Sequence, residues 1–118
     1  MGAAKAALEV LCRYFAVSLA DRKITVNAIS PGWVEDSVLN ALPENVQTMI
    51  RDWHAGGWTP RRRLGNHTDI GDAVALLCSP ASAWITGQVI DVDGGAALMD
   101  PHLPLDIQQP FRAKAAQK

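Results

Sequence analysis

The 118-residue sequence predicts an α/β fold, and only part of one. Three features carry that expectation. Alanines and large apolar residues recur at helical spacing over the first twenty positions. A β-branched run follows and closes on Pro-Gly. A second β-rich run, reached through further helical segments, closes on Asp-Gly-Gly. Two strands separated by helices predict a parallel pair joined by a right-handed crossover. A parallel sheet normally has several strands and is covered on both faces, so this pair belongs to a larger sheet or completes its core with another chain.

The elements follow in order. From Gly2 to about Asp21, Ala4, Leu8, Leu11, Phe15 and Leu19 keep one side of a helix, and Ala7, Val10, Tyr14 and Val17 widen it. A face that broad wants cover on more than one side. Asp21-Arg22-Lys23 breaks the pattern, and residues 24–29 read as a strand closed by a turn at Ser30-Pro31-Gly32. Residues 33–42 read as a loop with a short helical piece capped by Asp36 or Ser37. A helix over 43–53 then carries the stripe Val46, Met49, Ile50, Trp53 and is stopped by Gly56-Gly57. Residues 60–67 form a loop, Thr68 caps a helix over 69–79, and residues 88–92 form the second strand. No repeat or second domain boundary is visible.

The charge balance is even, with Lys+Arg 11 against Asp+Glu 12, and provides no field for nucleic acid or an anionic membrane. The one basic run, Arg61-Arg62-Arg63, reads as a solvated loop, with a phosphate or carboxylate contact as the second possibility. Cys12 and Cys78 sit in apolar stretches without ligand spacing. They read as buried thiols of a chain in a reducing cytoplasm, not as a metal site or disulfide. No apolar stretch reaches the 18 residues of a membrane span. His54, His67 and His102 are scattered, so a metal site is not expected; solvent-facing or locally hydrogen-bonded imidazoles are.

With these elements in place, the string MGAAKAALEVLCRYFAVSLADRKITVNAISPGWVEDS resembles the second half of a short-chain dehydrogenase/reductase. That family comprises NAD(P)(H)-dependent oxidoreductases. RRRLGNHTDIGDAVALLCSPASAWITGQVIDVDGG resembles the same family's C-terminal segment. The parts occur in family order over residues 1–99, and the resemblance implies the C-terminal part of a Rossmann-type, doubly wound parallel sheet. Residues 100–118 form a Pro-containing tail expected to be partly disordered.

The resemblance also implies roles. The family's Tyr-x-x-x-Lys pair places Lys5 on the lysine and Met1 on the tyrosine. Residues four apart share a helix face, so an ammonium there favours the ionised phenol and brings its pKa toward working pH. The phenol then moves a proton while the nicotinamide moves hydride, and the lysine also bonds the nicotinamide ribose. Methionine can do none of that proton work. Pro31 and Gly32 correspond to the turn at the carboxyl edge of the sheet, where open α/β sheets bind ligands. Val34 would meet the nicotinamide carboxamide with its backbone groups, and Trp33 would border the substrate pocket. Read without the resemblance, the same residues are a Pro-Gly turn beside a buried tryptophan. Where the family commonly has threonine this chain has Asp36, which would repel a pyrophosphate unless Ser37 substitutes. The segment around 43–53 matches the family's mobile cover over the substrate and looks most like its enoyl-thioester-reductase members.

The glycine-rich loop that would hold the pyrophosphate, and the family's catalytic serine and asparagine, are not among these 118 residues. Three readings stand open at this level: a truncated oxidoreductase, inactive alone; a non-enzymatic interaction module; or one half of a split enzyme. The partners implied are a second copy, meeting through the first helix and the C-terminal strand region, or a missing N-terminal half.

Overall fold

The computed structural model describes residues 2–100, apart from the side chain of Ser37. The expected tail beyond Asp100, and Met1, lie outside the described residues. Helix α1 spans Gly2–Ser18 and runs into a single 3-10 turn, Ala20–Arg22, that ends where Lys23 enters the left-handed region at φ 59°. Strand β1 is Ala28–Pro31, α2 is Ser37–Asn40, α3 is Glu44–Trp53, α4 is His67–Leu77 and β2 is Val89–Val92.

The two strands pair in parallel, Ala28 opposite Val89 and Pro31 opposite Val92, as the partial Rossmann sheet requires. Strand β1 begins later than the sequence pattern suggests. Residues 24–27 are extended without laddering, because polar side chains take their backbone groups instead. Val26 N–H donates to Thr86 Oγ1 at 3.1 Å, and Gln88 N–H donates to Asn27 Oδ1 at 3.1 Å. The ladder then continues through Pro31, which belongs to the strand and not to a turn.

The broad apolar face of α1 is mostly open. Only Cys12 and Ala16 are buried, while Leu8, Leu11 and Phe15 of the predicted apolar side are exposed and Val17 is 81% exposed. Small residues make the contact because the backbone comes close. The Cys12 thiol reaches Val26 O at 3.5 Å, and a Cβ placed on Gly87 would meet Ala16 Cβ at 3.4 Å. Glycine suits position 87 because its φ of 72° lies in the left-handed region that side chains disfavour.

The apolar centre of the described residues lies away from the sheet. Leu39, Ile50 and Leu64 are buried together, flanked by Leu42 and Val46, so α2, α3 and the loop before α4 form a small helical lobe with its own core. Neither strand is fully buried. Beside β1 a groove of about 1110 Å³ opens toward α4, lined by Ile24, Val26, Ile29, Val74 and Leu77, with Trp84 at its rim 99% exposed. Exposed apolar groove walls and a bare strand edge fit a sheet represented by two of its strands.

Helix α4 starts one residue before Thr68, and its cap is Asn66. Asn66 Oδ1 accepts from Asp69 N–H at 2.9 Å, and Asp69 Oδ2 accepts from Asn66 N–H at 2.8 Å. Thr68 serves that cap by donating its hydroxyl to Asn66 Oδ1. Cys78, read from the sequence as buried, caps the other end of α4 and is exposed, whereas Cys12 is buried as expected. The glycines at 56 and 57 do not stop α3 cleanly. The chain passes through a π turn, His54–Trp58, and leaves it where Gly57 adopts φ 117°.

Candidate active site at the carboxyl edge of the sheet

Parallel strands end on the same side, and there backbone groups leave the ladder free to meet a ligand. Ala28 N–H donates to Gln88 O at 2.8 Å, and Gly32 N–H donates to Val92 O at 3.2 Å. Parallel pairing engages alternate residues, so Ala28, Ser30 and Gly32 face β2 while Ile29 and Pro31 face the open edge. Pro31 therefore sits where its missing N–H costs no bond to β2.

At Gly32 the two strand exits touch. A Cβ there would lie 2.7 Å from Asp93 Cβ and 2.9 Å from Asp93 Cα, too close for any side chain. Asp93 in turn ties up the next turn: Oδ1 accepts from Gly95 N–H at 2.8 Å and Oδ2 from Ala97 N–H at 2.6 Å.

Beyond Gly32 the chain makes one isolated parallel bridge, Val34 with Gly65. Gly65 N–H donates to Trp33 O and Glu35 N–H donates to Gly65 O, both at 2.9 Å. These bonds use the groups on either side of Val34 and leave its own N–H and C=O without a partner among the described residues. One free donor and one free acceptor on one residue match what a primary carboxamide offers.

Asp36 is committed locally. Its Oδ1 accepts from the N–H groups of Val38 and Leu39, both at 3.0 Å, and so caps α2. The loop is held to α3 by an ion pair, Arg51 Nε to Glu35 Oε1 at 3.0 Å, between partly exposed groups.

Trp33 is 47% exposed, not buried as its plain reading would have it. It borders a cavity of about 490 Å³ with Arg61, Gly65, Asp91 and Gly94 on its other walls. Of the basic run, Arg63 makes the carboxylate contact: Nη1 reaches Asp69 Oδ2 at 2.6 Å and Nη2 reaches Oδ1 at 2.7 Å. The Arg63 hydrogen bonds, reinforced by Asn66 N–H, hold the Asp69 carboxyl well below the usual carboxylate range, and Arg63 is raised in return. Asn-x-x-Asp before an apolar run is a capping pattern, and it was the signal available in the sequence for this pair.

Pro31, Gly32, Trp33 and Val34 thus stand together at the edge. Lys5 does not join them by any hydrogen bond among the described residues. It lies in the first turns of α1, exposed, seven residues before Cys12 and so on the same side of the helix. Ala16 packs by Gly87 and Cys12 reaches the carbonyls of Val26 and Gln88, so α1 crosses the chain where it enters the two strands. No group of three His, Cys, Asp or Glu side chains among the described residues is placed to hold a metal ion, and no described helix is long and apolar enough to cross a membrane.

Comparison with known proteins agrees with this architecture. A family model described as enoyl-(acyl carrier protein) reductase matches residues 1–97. Tetrahydroxynaphthalene reductase of Pyricularia oryzae is 35% identical over 102 residues, covering 80% of this chain and 36% of that protein. The 7alpha-hydroxysteroid dehydrogenase of Escherichia coli K12 is 41% identical over 93 residues, covering 77% of this chain and 34% of the other. The crystal structure of 3-oxoacyl-acyl-carrier-protein reductase from Brucella melitensis, in complex with NAD, superposes with a TM-score of 0.72 at 28% identity, over 81% of this chain and 36% of that one. The chain spans little more than a third of the length of these relatives. The parallel β1–β2 pair, the helix before it and the Pro-Gly exit all fall within the matched residues, and the chain belongs to the short-chain dehydrogenase/reductase family.

Proposed function

We propose that these residues form the substrate-side part of an NAD(P)(H)-linked oxidoreductase acting on a carbonyl, hydroxyl or enoyl compound. The observation that carries the reading is the free N–H and C=O of Val34 at the carboxyl edge, beside a Gly32 packed too closely for a side chain. The residues present fit a nicotinamide at that edge: Val34 would take its carboxamide, and Lys5 its ribose. The nicotinamide, when bound, supplies or accepts hydride. What this chain contributes is positioning. The Gly65 bridge fixes the Val34 peptide, Trp33 borders the substrate, and Lys5 supplies a positive charge that favours proton transfer by a neighbouring phenol.

On this reading the 118 residues alone neither bind the dinucleotide tightly nor turn over, because no glycine-rich pyrophosphate loop is among them. Family enzymes known as oligomers would pack through α1, whose apolar sides are open here, and a cytoplasmic setting suits the free thiols Cys12 and Cys78.

A chimera tests the proposal. The part of the Brucella melitensis enzyme that precedes its matched region is joined to this chain carrying Met1→Tyr. It is assayed by NAD(P)H absorbance with 3-oxoacyl thioesters, polycyclic ketones and steroid ketones. Turnover of one of these is expected, falling at least about 100-fold in Lys5→Ala. A folded chimera that binds NADH and turns over none of them would refute the reading. So would micromolar NADH affinity of the 118-residue chain alone, measured by nicotinamide fluorescence.

A further inference from the structure

The backbone of Trp33 is tied to Gly65, but its indole N–H makes no hydrogen bond among the described residues, and a pocket wall works only if it is fixed. Its indole meets one buried side chain, His54, with ring centroids 6.5 Å apart and planes tilted by 59°. His54 is 3% exposed and shares a hydrogen bond through Nδ1 with the hydroxyl of Thr59, which is 2% exposed. The two residues flank the π turn, and the positive φ of Gly57 reverses the chain between them. Thr59 uses its other branch as well. Its methyl lies 2.7 Å from where a Gly94 Cβ would stand, so it abuts the exit of β2. Arg61 N–H adds a bond to Gly94 O at 3.3 Å.

These contacts form a strut from the β1 exit, through the end of α3, to the β2 exit. Neither His54 nor Thr59 belongs to the Leu39, Ile50, Leu64 core. A buried imidazole and hydroxyl carry a desolvation cost that two apolar side chains would avoid. What such a pair adds is direction, because a hydrogen bond fixes the ring plane where dispersion contacts do not. An aromatic partner held at a fixed tilt then fixes the indole in turn.

We propose that His54, locked by Thr59, is a positioning residue for the substrate pocket. It sets the plane of Trp33, and with it the width of the pocket at the carboxyl edge. The inference rests on the reading of Trp33 as a pocket wall, but its test uses neither cofactor nor substrate. Failure of the test therefore leaves the chimera result standing, and an inactive chimera leaves the strut standing.

Two measurements decide it. In the unsubstituted chain, long-range proton–nitrogen NMR of the His54 imidazole should show one fixed tautomer, with nuclear Overhauser contacts from its ring to the Trp33 indole. A tautomer average or no contact to Trp33 overturns the proposal without needing any variant to fold. The second measurement makes Trp33 the sole tryptophan through Trp53→Phe, Trp58→Phe and Trp84→Phe, and follows its time-resolved anisotropy. Thr59→Val keeps the shape and removes the hydroxyl, and it should at least double the amplitude of fast indole motion. Thr59→Ser keeps the hydroxyl and should restore the original decay. Cys12→Ala, a buried change on α1 that touches neither His54 nor Trp33, should leave the decay unchanged. Unchanged anisotropy in Thr59→Val, or an equal change in Cys12→Ala, would show that the pair only packs.

Discussion

Replacing Gly32 with alanine should open the carboxyl edge of the sheet. The new Cβ would stand 2.7 Å from Asp93 Cβ and 2.9 Å from Asp93 Cα, whereas carbon atoms rest about 3.5–4.0 Å apart. The strand exits must therefore part by roughly 1 Å, since a Cα cannot rotate out of the way as the tip of a side chain can. Overpacking of this kind costs about 1–3 kcal/mol. The Gly32 N–H bond to Val92 O, already 3.2 Å, would stretch out of range and forfeit about 0.5–1.5 kcal/mol more. Stiffening of the unfolded chain returns about 0.4–1 kcal/mol. The net expectation is a loss of about 0.5–4 kcal/mol, centred on roughly 2, read as a lower urea midpoint by far-UV circular dichroism with the slope unchanged. Gly65→Ala is the matched control. Its Cβ would meet Trp33 O at 3.4 Å and Val34 Cγ2 at 3.5 Å, which are ordinary contacts, so its midpoint should stay near that of the parent chain. If Gly32→Ala leaves the midpoint in place, or Gly65→Ala lowers it more, the close approach of the two exits is wrong.

Asn66→Ala removes the acceptor that caps α4 and should cost about 1 kcal/mol, seen as a lower thermal midpoint, with Asn66→Asp recovering most of it. Burial pushes the His54 imidazole below its ordinary 6.5, so the unfolded chain takes up the proton more readily than the folded one. Its contribution is whole above about pH 6.5 and is lost as pH falls from there, so urea midpoints measured from about pH 7.5 down to 5 should fall, and His54→Phe should flatten that stretch. Asp69 adds a second loss at lower pH: with its carboxyl held low chiefly by the Arg63 hydrogen bond, its stabilisation is whole at neutral pH and drains away as pH falls below about 5, and Asp69→Asn should lower the neutral-pH midpoint and flatten that acid stretch in a circular-dichroism pH titration. The open faces of α1 and the groove beside β1 predict a weakly stable monomer, whose thermal transition should rise with protein concentration in calorimetry; a sharp, concentration-independent transition of a proven monomer would contradict this.

Much of this was readable in the residues because periodicity and turn chemistry report local structure directly. The helices α1, α3 and α4 and strand β2 follow their patterns closely, and Pro31-Gly32 and Asp93-Gly94-Gly95 mark where the strands end. Strand β1 began four residues late because Asn27 and Thr86 divert backbone bonds through side chains, a long-range competition that β propensity does not register. The broad apolar face of α1 was legible, but which of its residues are buried was not: close approach of the chain at Gln88 and Gly87 takes in Cys12 and Ala16 and leaves the larger Leu8 and Phe15 exposed. Lys5, Pro31, Gly32, Trp33 and Val34 came from resemblance to a family, and spacing alone would have left them a helix lysine and a turn. His54 was expected either to face solvent or to bond locally, and it does the second, to Thr59; its burial left no trace in the pattern, because only the reversal at Gly57 turns it inward.

The placement of the core has its own consequence. Because Leu39, Ile50 and Leu64 are packed within the helical lobe and not against the strands, the lobe owns its stabilising contacts and the strand edge contributes none of them. Two neighbouring pieces of one short chain thus answer to different constraints. The lobe is free to change its surface residues, provided its three apolar side chains still fit together, and the carboxyl edge of the sheet need not change with it.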